Sequence, residues 1–85
     1  MEKLMNKEIF EGKWKQIRGQ TPKWWSLMGS HDLEKIDKAG VKYDKYVTLL
    51  QVKYGYTRDQ ARKEFARRFA EFEAEQQQSN EHISK

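Results

Sequence analysis

Residues 6–19 read NKEIFEGKWKQIRG, and the periodicity of this stretch decides the fold. Ile9, Phe10, Trp14 and Ile17 recur at helical spacing and form one apolar stripe. Asn6 is a suitable N-cap, and Gly19 stands where a helix commonly stops. The spacing therefore predicts an amphipathic helix running from Asn6 to about Arg18. Two glycines among cations could also suggest a phosphate-cradling loop. Such a loop needs a preceding strand and a Gly-x-x-x-x-Gly-Lys-Ser/Thr pattern, and neither is present. Gly12 inside the helix costs roughly 1 kcal/mol relative to Ala. A close helix–helix approach is the expected reason for tolerating it.

Outward from this stretch, punctuation divides the rest of the chain. Thr21-Pro22 is read as a new cap and first helical residue, opening a short helix over 22–28 that carries Trp24, Trp25, Leu27 and Met28 and stops at Gly29. Ser30 is read as the cap of a third helix, with Leu33 and Ile36 inward and an end at 38–40. A fourth helix spans about 41–54, with Tyr43, Tyr46, Val47, Leu50 and Tyr54 on one stripe and Gly55 as its stop. Thr57 and Gln60 have the spacing of a capping box, and Ala61, Phe65, Phe69 and Phe72 mark the inner face of a fifth helix over 58–76. No alternating strand pattern competes. The expectation is an all-α bundle of four to five short helices in one domain, residues 1–76, followed by a flexible polar tail, 77–85.

Composition agrees. The chain has 85 residues, enough for one small domain. Its mean hydropathy is −1.11, very polar for a folded protein. Three Trp, four Tyr and four Phe offset this, because each buried aromatic removes roughly 150–250 Å² from water. Trp14, Trp25, Tyr46, Leu50, Phe65 and Phe69 are the expected core. Adjacent residues of a helix diverge by about 100°, so Trp24 and Trp25 cannot both face inward. Trp25 is assigned to the core and Trp24 to a partly exposed position.

Chemistry-bearing residues are sparse. There is no cysteine, which removes disulfides, thiolate metal sites and a Cys nucleophile. His31 and His82 belong to no metal or triad pattern, and Asp32, Glu34 and Asp37 lack the alternation of a calcium loop. The expectation is a protein that is not an enzyme, with no cofactor and no metal. No apolar run approaches the roughly 20 residues of a membrane span, and no signal-peptide pattern opens the chain. A cytoplasmic monomer is expected. The net charge of +4 permits weak attraction to polyanions. Arg58, Arg62, Lys63, Arg67 and Arg68 form the densest basic run, diluted by Asp59, Glu64 and Glu71. With Trp24 they are the candidate contact residues, either for a protein partner or for weak, sequence-insensitive nucleic-acid binding.

GKWKQ at 12–16, HDLEKI at 31–36 and YGYTRDQA at 54–61 occur in an order and spacing that resembles the CsbD-like family of small bacterial stress-response proteins. The matching positions are Asn6, Lys7, Gly12 to Gln16, Gly19, Trp25, Asp32, Leu33, Ile36, Gln51, Tyr54, Gly55, Gln60 and Ala61. The chain departs from the family pattern at Pro22 and at 26–32, SLMGSHD. The resemblance implies two crossed helical hairpins, similar to SAM-like domains, and induction under general stress. It carries over no catalytic residue.

Overall fold

The computed structural model describes residues 5–83, and side chains over 5–76. Five helices follow in order: α1 Lys7–Gly12, α2 Trp14–Trp24, α3 Ser30–Asp37, α4 Lys42–Tyr54 and α5 Arg58–Ile83. The described residues contain no strand, and the protein is a small all-α bundle. Helix α4 packs against α1, α3 and α5, so it forms the hub. This placement follows from its sequence, since Tyr43, Tyr46, Val47, Leu49 and Leu50 give it a broad apolar surface.

The expected first helix is divided. Asn6 caps α1 as read, its Oδ1 accepting from the Ile9 N–H at 2.9 Å. At Lys13 the ladder slips: its N–H is shared between the carbonyls of Ile9 and Phe10, and Ile17 N–H then resumes the pattern onto Lys13 O. Gly12 is not a point of close helix contact. A Cβ there would meet nothing within 4 Å, and the residue instead sits at the joint, where a glycine eases distortion of the helix. The bend leaves Phe10, Trp14 and Ile17 all buried.

The stop at Gly19 and the restart at Thr21-Pro22 do not occur. Helix α2 runs through both, and Gly19 lacks the positive φ of a left-handed terminator. The reason lies in Thr21, which is fully buried. Its hydroxyl donates back to Ile17 O at 2.7 Å, an i−4 bond made inside a helix, instead of capping a new one. That hydroxyl also lies 2.7 Å from the Tyr46 hydroxyl of α4. With the Thr21 proton directed at Ile17, the Tyr46 O–H is the donor. Pro22 falls in the last turn, which closes with Trp25 N–H on Thr21 O at 2.8 Å.

At α3 the cap is Gly29, not Ser30. The Asp32 carboxylate accepts from Gly29 N–H at 3.0 Å, and glycine has no side chain to return the bond. The later punctuation stands as read. Gly55 ends α4 at φ 72°, in the left-handed region that a Cβ disfavours. Thr57 and Gln60 exchange both bonds of a capping box at 3.1 Å. The α5 backbone is helical to Ile83. The side chains of the expected tail, 77–85, lie outside the described residues.

All six expected core residues are buried. Phe10 is the centre of the aromatic cluster, its ring centroid 5.1–5.6 Å from those of Trp14, Tyr43, Tyr46 and Phe65. Trp25 is also buried, and the Arg68 guanidinium lies 4.2 Å from its ring centre. Its indole N–H stands near the Tyr46 hydroxyl without hydrogen-bond geometry and has no partner among the described residues. A stacked cation on the ring face is worth about 0.5–2 kcal/mol and offsets part of that desolvation. Trp14 adds a polar tie, its Nε1 donating to Asp37 Oδ1 at 2.7 Å. Trp14→Ala removes the ring and this tie together. The expected loss is about 3–5 kcal/mol, most of the stability of so small a domain, read by chemical denaturation. A shift below about 1 kcal/mol is incompatible with this packing.

Candidate functional site

The candidate contact residues surround α5 and do not share one face. At about 100° per residue, Arg58 and Arg62 project to one flank of the Phe65 stripe and Arg68 to the other, while Lys63 and Arg67 point to the opposite side. Most are also occupied. Arg58 reaches α4, pairing with Asp44 at 3.3 Å and donating to Gln51 Oε1 at 3.1 Å. Lys63 pairs with Asp59 at 3.3 Å on the same helix. Arg67 and Arg68 converge on Glu64. The hydrogen bond from Arg67, then that from Arg68, holds the Glu64 carboxyl below its usual range. Arg62 has no carboxylate partner among the described residues. Trp24 is half-buried, its ring edge-on to Phe65 and Phe72 of α5, with centroids 5.8 and 6.0 Å away. It covers the outer edge of the core and joins α2 to α5.

Three carboxylates do structural work that sequence reading missed. Glu11 of α1 accepts the backbone N–H groups of Lys42 at 2.7 Å and Tyr43 at 3.3 Å. It thereby caps α4, whose own cap residue, Val41, has no side chain able to do so. Asp37, at the end of α3, receives Trp14 Nε1 and a two-oxygen contact from Arg18 Nε at 3.1 Å. Asp32 is buried and pairs with Lys53 of α4 at 3.0 Å. Partners 19 or more positions apart leave no trace in local periodicity. Only Asp32 carried a local signal, an acid three residues after Gly29.

These contacts shift the carboxyls. For Asp37 the Arg18 bond, then the Trp14 bond, lowers the pKa. For Asp32 burial is the largest influence and raises it, but the Gly29 N–H and Lys53 together outweigh burial, and the pKa falls below 3.8. Among the described residues no group of three metal-ligating side chains converges, and no helix is long and apolar enough to cross a membrane.

A small all-α bundle in which most ion pairs among the described residues join one helix to another defines the class. Known proteins then give the family. The UPF0337 protein YjbJ of Salmonella typhimurium is 38% identical over 61 residues, covering 72% of this chain and 83% of that protein. Its Escherichia coli counterpart is 38% identical over 60 residues, covering 71% and 83%. A UPF0337 protein of Protochlamydia amoebophila is 36% identical over 61 residues, covering 72% and 88%. The chain belongs to the UPF0337 family of small bacterial proteins. No protein-family model and no solved structure matches it.

Two measurements check the site. A carboxyl with a lowered folded-state pKa stabilises the fold above its unfolded pKa, and the contribution disappears as pH falls through the folded pKa. Thermal stability should therefore hold from neutrality down to about pH 4 and decline below it. Asp37→Asn should melt lower than wild type at pH 7, and the two curves should converge in acid, where Asp37 is protonated in both states. The second measurement concerns nucleic acid. Each neutralised duplex phosphate adds about 0.9 to the salt slope, and the paired cations of α5 can neutralise few. Fluorescence anisotropy with a labelled random duplex should give no submicromolar complex at about 0.15 M salt, where the Debye length is about 8 Å. Tight binding abolished by Arg62→Glu with Arg67→Glu would contradict this.

Proposed function

We propose that this chain is a CsbD-like general stress-response protein that acts without catalysis, as a small, strongly hydrated helical domain in the cytoplasm. The observation that carries the reading is the use made of the residues behind the resemblance. Trp14 is in the core and ties α2 to Asp37, Gly55 is the left-handed terminator of α4, Gln60 completes the capping box of α5, and Ala61 is fully buried. These motif positions encode a fold and its joints. The placement of charge supports the same reading, since ion pairs such as Arg18–Asp37, Lys53–Asp32 and Arg58–Asp44 bridge neighbouring helices.

The test is physiological. The protein's abundance in its native bacterium, measured by quantitative mass spectrometry, should rise severalfold on entry into stationary phase or on osmotic upshift. A deletion strain should survive those conditions less well and be rescued by the wild-type gene. An unchanged level and an unaffected deletion strain under both conditions would overturn the reading.

A further inference from the structure

One open groove, of about 380 Å³, lies where the starts of α1, α4 and α5 meet. Met5, Tyr43 and Ala66 contribute apolar wall, and Asn6, Lys7 and Arg62 contribute polar groups. Its carboxylates are already engaged, because Asp44 holds Arg58 and Asp59 holds Lys63. Its donors are not. Arg18, Arg58, Arg67 and Arg68 each have a carboxylate partner, and Arg62 is the one described arginine without one. Lys7 likewise has none among the described residues. Asn6 uses its carbonyl oxygen to cap Ile9, which leaves its amide NH₂ available. The Tyr43 hydroxyl has no hydrogen-bond partner among the described residues and is not sealed in the core, while Arg62 is close enough for its charge to act on it. Burial raises the pKa of that phenol, so it remains a donor at neutral pH.

Unpaired donors, two positive charges without an ion-pair partner among the described residues, and carboxylates whose charge is already paired leave the groove complementary to an anion. We infer that this groove binds a small organic carboxylate with an aromatic or aliphatic body, the carboxylate against Arg62 and Lys7 and the body against Tyr43, Met5 and Ala66. A guanidinium offers the forked, two-bond geometry that a carboxylate accepts. The volume is at the lower end of small-molecule sites, which fits a single ring or a short chain. The inference is independent of the stress-response reading.

The experiment is a ¹H–¹⁵N NMR titration of the full chain with 3-phenylpropionate. Amide shifts should saturate at Lys7, Tyr43, Arg62 and Ala66, with a Kd of about 1 mM or tighter. Arg62→Gln, shown folded by its dispersed spectrum, should weaken binding by about tenfold or more. Lys45→Gln, on an exposed position of α4 outside the groove, should leave binding unchanged. Inorganic phosphate tests charge without an apolar body, and 3-phenylpropanol tests the body without charge. Both should bind at least about tenfold more weakly than the carboxylate. No saturating shift at the groove, equal binding by Arg62→Gln, or phosphate binding as tightly as the carboxylate would each overturn the inference.

Discussion

The Tyr46 hydroxyl, deep in the bundle, donates to Thr21 at 2.7 Å, and the Thr21 hydroxyl in turn donates to the carbonyl oxygen of Ile17. Both residues are fully buried. An unpaired hydroxyl there would cost about 1–3 kcal/mol, so each depends on the other. Burial also raises the Tyr46 pKa strongly, which keeps the phenol a donor at every physiological pH. This bond sets how α2 lies on α4. It obliges α2 to continue past Gly19 and Pro22 so that Thr21 faces inward. Trp24 and Trp25 then leave the end of α2 in divergent directions, one over Phe65 and Phe72, the other beneath Arg68.

Around that bond the core is aromatic because the chain is short. Few residues are available for burial, and rings supply more area per residue than aliphatic chains. Phe10, Tyr46 and Phe65 come from α1, α4 and α5, and each ring is 5.2–5.3 Å from the other two. The polar periphery is organised on the same economy. Glu11 caps α4, Asp37 clamps Trp14 and Arg18, and Lys13 joins the α1–α2 joint to Glu73 of α5 at 2.7 Å. Exposed ion pairs are individually worth about 0–1 kcal/mol. Those named here have in common that each joins two different helices.

This division of labour bears on function. A basic run along one helix reads as a polyanion surface when its charges are counted in a line. In three dimensions α5 spreads them around its axis, and neighbouring carboxylates engage most of them. Arg62 is left over, and it lines an open groove at the junction of α1, α4 and α5. The charge available to a ligand is what remains after the fold has taken its share.

Local periodicity by itself determined the all-α class, the inner faces of α4 and α5, the αL glycine at 55 and the Thr57–Gln60 capping box. Each of these depends on residues within one or two turns of one another, which is the range over which propensity and spacing act. The core aromatics were legible for the same reason, as stripes on separate helices. Only the tertiary structure decided the break at Lys13, the passage of α2 through Gly19 and Pro22, the cap supplied by Glu11 and the clamp at Asp37. Gly19, Thr21 and Pro22 carry strong local signals for a stop and a restart. They were overruled because a buried hydroxyl must find a partner, and its partner, Tyr46, lies 25 residues further along the chain.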